Sequence, residues 1–370
     1  MQMNTPAPRN ALDDNRQGLM GKPVDRVEGR LKVMGKAPYA HEMVEGGAAA
    51  AYGFMVQTTI SKGTVSSIDA SAAERAPGVL MVMTHLNAPK QAPWGPIELP
   101  DRYARSIPQL SSSKVAYYGQ PVAFVVANTF EQARSASRLI TIAYAQVAGQ
   151  HDMQSPQAQG ELQKSFFGEP LVDGSKDDFD KAFASSSVTV DGRFSTPPHA
   201  AAPMEPPATW AYWEGNKLTV HCSAQLINSA QQGVASTLQV PLGNVRLVSR
   251  YIGGGFGSKL PIYGDVILTA LAARELRRPV KTALTRQQMF HITSHRSDTV
   301  QRLRLGASSD GKLNAVGHEA WSNGARYDDF LSHQPCKPGC CTLPRHATRR
   351  ITWPSSIFRC QTRPAPPARR

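Results

Sequence analysis

Apolar and polar positions along this chain switch between a two-residue and a helical period, and each switch marks an element. Tyr52 to Ile60 is apolar and rich in β-formers, which predicts a strand. Asp69 to Ala76 reads as a short helix, with Ser71 and Glu74 at capping-box spacing. Pro77-Gly78 ends it, and Val79 to Thr84 resumes as an apolar strand. Residues 87–110 carry Pro89, Pro93, Gly95, Pro96, Pro100 and Pro108 and read as loop. Val122 to Ala127 is an unbroken apolar run of strand length, the pattern of a buried strand. Thr129 and Gln132 form a second capping box, opening a helix whose Ala133, Ala136, Leu139 and Ile140 share one face. Ile140 to Tyr144 returns to extended chain.

Residues 145–175 are polar and predict a linker. A short amphipathic helix follows at Asp177 to Ala184, then strands at Val188–Ser195, Thr209–Trp213 and Lys217–Cys222. Glu214-Gly215-Asn216 joins the last two as a hairpin turn. A helix at Ile227–Leu238 leads to a strand at Val245–Tyr251. The next helix runs from Asp265, placed to cap its positive end, to Leu276, and Arg277, Arg278 and Pro279 close it. Val280–Thr285 is a further strand, and Asp298–Leu305 with Lys312–Trp321 makes a hairpin around Ser309-Asp310-Gly311. There is no internal repeat. The mixed order of elements places the chain in the α+β class rather than in a regular βα alternation.

Composition divides the chain in two. Of 370 residues, 41% are hydrophobic and 19% charged, which excludes a disordered chain or a coiled coil. The net charge of +13 suggests an anionic partner. Eight of the basic residues lie in 331–370, where there is no Asp or Glu, so the first 330 residues carry only +5. Cys336, Cys340, Cys341 and Cys360 also fall in that tail, leaving Cys222 alone before it and no disulfide framework there. Adjacent cysteines suit one tetrahedral metal ion poorly, and the spacing fits no common zinc pattern. No window approaches the run of roughly 18 apolar residues that spans a membrane. The polar N-terminus lacks the apolar core of a signal peptide. The expected location is cytoplasmic, or periplasmic if the chain is exported with a signal-bearing partner.

One segment carries chemistry: Gly253-Gly254-Gly255-Phe256-Gly257-Ser258-Lys259, between a strand and a helix. Glycines there let backbone N–H groups converge on an oxygen-rich ligand, although a plain flexible turn is an equal reading. A P-loop needs Lys directly after the last Gly, and Ser258 intervenes. A dinucleotide fingerprint needs Gly-x-Gly-x-x-Gly and a later carboxylate, whereas the next strand ends in Thr285-Arg286. A nucleotide hydrolase and a nicotinamide enzyme are both disfavoured.

The segment resembles the glycine loop of molybdenum hydroxylases, the xanthine dehydrogenase and aldehyde oxidoreductase family, in the molybdenum-binding large subunit. Asp25-Arg26-Val27-Glu28-Gly29-Arg30 with Gly35-Lys36-Ala37-Pro38-Tyr39-Ala40 is similar to the family's opening motif. Tyr118-Gly119-Gln120-Pro121-Val122-Ala123 resembles the core of its α/β hammerhead domain. His199, Met204-Glu205-Pro206, Arg278-Pro279-Val280-Lys281, Thr285-Arg286 and His295-Arg296 continue the run, which covers about residues 22–326. The resemblance is strongest to the large subunit of bacterial periplasmic aldehyde oxidoreductases. It implies an α/β hammerhead domain at 22–150, a linker at 151–175 and the first part of a molybdopterin-binding α+β domain at 176–326. It implies a molybdenum–molybdopterin cofactor, in the cytosine dinucleotide form, held by its own dithiolene with no protein ligand to the metal. The implied partners are an iron–sulfur subunit with [2Fe–2S] clusters and an FAD subunit, in a heterotrimer that oxidises a small aldehyde or N-heterocycle. By position, Gln225 matches the glutamine whose amide bonds near the metal's oxo group, and Leu226 its backbone neighbour. Gly255, Phe256 and Gly257 match the loop beside the metal. Glu205 falls in a structural motif and His199 reads as an ordinary histidine.

The family's general base, a glutamate, lies in the later half of the subunit, so the resemblance implies no catalytic residue in this chain. Residues 1–21 read as a flexible N-terminus, and 327–370 as an aberrant Arg-, Pro- and Cys-rich tail of the kind an out-of-frame GC-rich gene yields. The expectation is a chain truncated or frameshifted after about residue 326 and inactive alone. Two other classes stay open: a non-catalytic assembly fragment, and a basic nucleic-acid-binding protein, the latter disfavoured because most of the charge sits in the tail.

Overall fold

The computed structural model describes residues 18, 20–43, 49–93, 106–149, 151, 152, 155 and 179–322, and the backbone of strands at 161–162, 165–166, 169–170 and 346–353. Its first part contains α1 (Gly29–Val33), β1 (Ala51–Gln57), β2 (Gly63–Asp69), α2 (Ser71–Glu74), β3 (Val79–Thr84), β4 (Lys114–Val115), β5 (Pro121–Ala127), α3 (Phe130–Ser137) and β6 (Thr141–Gln146). Three two-residue strands, β7 to β9, follow at Glu161–Leu162, Ser165–Phe166 and Glu169–Pro170. Then come α4 (Phe179–Ala184), β10 (Val188–Thr196), β11 (His199–Ala200), β12 (Ala208–Glu214), β13 (Lys217–Cys222), α5 (Ile227–Leu238), β14 (Val245–Val248) and α6 (Gly264–Leu276). The last elements are β15 (Val280–Ala283), α7 (Arg286–Ile292), β16 (His295–Arg296), β17 (Thr299–Ala307), β18 (Leu313–Ser322) and β19 (His346–Trp353).

A seven-stranded sheet of order β14-β13-β12-β15-β1-β5-β3 forms the centre. Strand β1 pairs antiparallel with β5 and parallel with β15, placing Tyr52 opposite Lys281. Strands from before and after the expected linker therefore share one sheet. All seven residues of β5 are buried, as the unbroken apolar run predicts. Both faces are covered: Phe124 and Val126 enter the main core with Ile267 and Leu271 of α6, while Val125 and Ala127 pack with Ala133 and Ala136 of α3. Helix α6 is buried from Gly264 to Ala273, which accounts for its apolar residues on every side.

The Thr129–Gln132 capping box is present, each side chain bonding the other residue's backbone N–H. Several local readings differ. Helix α2 has no capping box; Asp69 Oδ1 accepts the Ser71 N–H at 2.9 Å, so the turn is organised by a side chain two residues earlier. Helix α3 ends at Ser137, and Leu139 has left its buried face and is exposed as the chain turns toward β6. Asp265 stands in the first turn of α6, but its carboxylate accepts from the Thr209 hydroxyl at 2.9 Å instead of capping the helix. Strand β14 stops at Val248, where its pairing with β13 ends. Strand β2, which carries one buried residue, Val65, lacks the alternation that would have revealed it.

The second sheet has the order β10-β17-β18-β19-β7. Helix α4 lies on one face, where Gly317 lets the Phe179 ring approach β18. Arg304 stacks 4.5 Å from that ring's centroid and bonds Asp180 and Glu319. On the opposite face Val188, Val190 and Phe194 are more than half exposed. No helix among the described residues is long and apolar enough to cross a membrane. Of the tail, only the backbone of β19 is described, parallel to β18; the four tail cysteines, the N-terminus up to residue 17 and most of the expected linker lie outside the described residues.

Candidate functional site

The glycine segment connects β14 to α6. Gly254 and Gly257 take φ of +95° and +88°, and Phe256 is left-handed at φ +53°. That conformation costs a phenylalanine roughly 1–2 kcal/mol, so the surroundings must hold it. Gly253 and Gly255 are closely packed for a different reason. A Cβ at Gly253 would lie 2.5 Å from Glu205 Cβ, and one at Gly255 would lie 2.4 Å from Gln225 Oε1. At Gly253 the clash is with the root of a side chain bonded through both carboxylate oxygens, so only glycine fits, whereas at Gly255 a substituent would push aside the amide end of Gln225.

Glu205 is the loop's polar anchor. Its Oε2 accepts from the Gly253 N–H at 2.7 Å and from Lys259 Nζ at 2.8 Å, and its Oε1 accepts from the Ser223 hydroxyl at 2.7 Å. Lys259 Nζ also donates to the Glu205 carbonyl at 2.9 Å. The Lys259 side chain is 1% exposed and that of Glu205 12%. Burial lowers the Lys259 pKa, and the hydrogen bond and charge of Glu205 oppose that shift. Pairing is what makes a buried ammonium tolerable here. Both carboxylate oxygens are engaged, so Glu205 serves the loop's shape, in line with its reading as a structural residue. Arg286 fixes the same segment, donating to the Pro203 carbonyl at 2.6 Å and the Met204 carbonyl at 3.1 Å.

Gln225 meets the loop's far end. Its backbone N–H donates to the Lys259 carbonyl at 2.8 Å, and its Oε1 accepts the Lys259 N–H at 3.2 Å. A peptide N–H can only donate, so the amide oxygen must face it, leaving the NH2 as the group's remaining donor. Ser249 secures the preceding residue, bonding both the N–H and the carbonyl of Ala224. Leu226 is the N-cap residue of α5.

Gln225 thus contacts Gly255, with Leu226 adjoining the first and Phe256 and Gly257 the second. Phe256 is 69% exposed and is no core residue. His199 is exposed, in a two-residue strand paired with β16. Among the described residues no cluster of His, Cys, Asp and Glu could hold a metal ion. Beside the loop a small crevice is lined by Cys222, Ser223, Lys259, Tyr263 and Asp265. Burial pushes both the Cys222 thiol and the Asp265 carboxyl up in pKa. Sequence reading gave Lys259, Ser223 and Arg286 no role. Nothing in the order of residues shows that a lysine will be buried, but the Thr285-x-x-Gln288 spacing that caps α7 and places Arg286 was legible.

Two family models match. "Aldehyde oxidase and xanthine dehydrogenase, a/b hammerhead domain" covers residues 34–148, and "Molybdopterin cofactor-binding domain" covers 163–342, running past the last motif noted in the sequence. The chain is 41% identical over 322 residues to the aldehyde oxidoreductase molybdenum-binding subunit PaoC of Escherichia coli, matching 87% of this chain and 42% of that protein. It is 28% identical over 317 residues to the nicotinate dehydrogenase large molybdopterin subunit of Eubacterium barkeri, with 84% and 72% of the two chains covered. In structure it is similar to the aldehyde oxidoreductase of Desulfovibrio gigas, at a TM-score of 0.73 and 23% identity, over 90% of this chain and 38% of that one, a likeness of fold. The chain spans about two fifths of the length of the Escherichia coli relatives. With a hammerhead domain followed by a molybdopterin cofactor-binding domain in an α+β fold, the chain belongs to the aldehyde oxidase and xanthine dehydrogenase family.

Proposed function

We propose that this chain forms the glycine-loop side of a molybdenum–molybdopterin site in the molybdenum-binding subunit of an aldehyde-oxidoreductase-like enzyme. The observation that carries the reading is the Gln225 amide, whose oxygen lies against Gly255 and accepts the Lys259 N–H, leaving its NH2 as the remaining donor. The residues suit such a group. A neutral amide donor serves an oxygen ligand without adding charge, and open space at Gly257, where a Cβ would meet nothing within 4 Å, leaves the backbone approachable. When bound, the cofactor supplies two-electron oxidation with oxygen drawn from water. Gln225, Leu226, Gly255, Phe256 and Gly257 hold and orient it, and the exposed Phe256 ring offers a flat apolar wall to an aromatic substrate. Small aldehydes and N-heterocycles are the substrate classes proposed, in keeping with relatives named as aldehyde oxidoreductase and nicotinate dehydrogenase. The cofactor form proposed is the cytosine dinucleotide, with [2Fe–2S] and FAD subunits taking the electrons. No residue of this chain is assigned as the general base.

The test is to isolate the complex through a tag on a molybdenum-binding subunit in which this sequence is continued by the family's later half, where the general base lies, co-expressed with iron–sulfur and flavin subunits. Its molybdenum content is measured by elemental mass spectrometry and its benzaldehyde oxidation by dye reduction. Loss of one hydrogen bond to a charged centre, about 1.5–3 kcal/mol, predicts that Gln225→Ala lowers kcat about 10- to 100-fold with molybdenum retained. A wild-type complex without molybdenum, or a Gln225→Ala variant of full activity, overturns the reading.

A further inference from the structure

We propose that Lys259 is a positioning residue: its buried ammonium, clamped to Glu205, holds the backbone whose N–H sets the polarity of the Gln225 amide. The inference rests on the pterin-site reading above and goes beyond it.

The geometry is that of a strut with two working ends. At one end, Lys259 Nζ bonds the side chain and the carbonyl of Glu205, at 2.8 and 2.9 Å. At the other end, the N–H and carbonyl of the same residue bond the Gln225 side chain and backbone, at 3.2 and 2.8 Å. Glu205 also holds Gly253, so one carboxylate ties down both ends of the loop. Between those ends Gly254 and Gly257 take positive φ freely, but Phe256 is left-handed at φ +53°, a conformation that needs a fixed frame. The bond to Gln225 Oε1 is at the long end of its range and Gln225 is itself exposed, so the polarity it sets depends on how firmly the Lys259 backbone is held. The restraint comes from the other end, where the ammonium has lost its water and an alternative partner would have to replace a carboxylate. Methionine at 259 would fill similar space and leave every backbone donor in place, yet release the strut.

Two measurements test this. In the full 370-residue chain, hydrogen exchange of the 253–260 peptide should quicken at least tenfold in Lys259→Met, with exchange in α6 changed less than twofold. In the complex, Lys259→Met and Gln225→Ala should each lower kcat for benzaldehyde about tenfold with KM within twofold. Their combination should fall no more than about twofold below either, because one residue acts through the other. Unchanged loop exchange, acceleration spread evenly over the core, or losses that multiply to about a hundredfold would overturn the proposal. Should Lys259→Met fail to fold, Glu205→Gln takes its place. It keeps one oxygen to accept from Gly253, turns its NH2 toward the Ser223 hydroxyl, which can accept, and removes the charge, and the loop must again exchange faster than α6. A wild-type complex lacking molybdenum would defeat the pterin reading alone, since loop exchange still decides whether Lys259 sets the loop.

Discussion

Replacing Gly53 by alanine should lower the unfolding temperature by roughly 3–5 °C. Gly53 sits in β1 between β5 and β15, with Val126 and Thr282 as its register partners. A Cβ there would lie 2.2 Å from Phe124 Cζ, 2.6 Å from Thr282 Oγ1 and 2.9 Å from Phe124 Cε2. Ordinary contact begins near 3.4 Å, so the phenylalanine ring must retreat by more than an ångström, and it is fully buried. Overpacking of this kind costs about 1–3 kcal/mol. Thr282 Oγ1 is also bonded to Thr269 Oγ1 at 2.6 Å, deep under α6, and displacing it leaves a buried hydroxyl poorly paired, at about 1–3 kcal/mol. Alanine recovers about 0.4–1 kcal/mol by stiffening the unfolded chain. The net loss is roughly 2–4 kcal/mol. Thermal unfolding followed by circular dichroism measures it, with Gly243→Ala as the control, because a Cβ at Gly243 meets nothing within 4 Å. Adding Phe124→Leu to Gly53→Ala should return part of the loss. If Gly53→Ala unfolds within about 1 °C of the parent, close approach at this point does not govern how the two regions share a sheet.

Three further outcomes follow from single residues. Burial raises the Asp265 pKa, so the unfolded chain releases this proton first as pH rises. Its contribution is greatest below the ordinary carboxylate pKa and declines as pH climbs from there through the raised value; Asp265→Asn should therefore gain stability relative to the parent between pH 4 and pH 7, and equal urea midpoint differences at the two pH values would refute this. Thr285→Ala removes the side chain that accepts the Gln288 N–H at 3.2 Å and should cost about 1 kcal/mol in urea unfolding, with faster hydrogen exchange confined to α7. Full burial pushes the Cys222 thiol well up, so the Cys222 peptide should remain unmodified by iodoacetamide in the folded chain and react fully in denaturant, as read by mass spectrometry.

Much of the fold was legible because its elements carry their own signals. The run Val122–Ala127, the box at Thr129 and Gln132, and the hairpin turn at Gly215, which takes φ +61°, are each decided within a few residues. Helix Ile227–Leu238 matches its predicted bounds because apolar positions recur at helical spacing. Strand β2 was not legible because a single buried valine gives no period to read, and α7 was obscured because its cap, Thr285, follows so closely on the extended run from Val280 that the two read as one strand. Asp265 was read as a cap because its local position is that of one, and only the neighbouring strand supplied Thr209 as the stronger claim on its carboxylate.

By itself the sequence determined the kind of elements, the glycine loop and, through ordered motifs, the family. Only the tertiary structure decided that β1 would lie between β5 and β15, joining two regions separated by a polar stretch. It alone showed that Phe256 is exposed and Lys259 buried, with one loop of seven residues held at both ends by Glu205. The reason is the range of the forces involved. Periodicity and capping act over a few neighbours and are written in residue order. Burial and ion pairing join residues as far apart as Glu205 and Lys259, and depend on which surfaces meet once the chain has closed on itself.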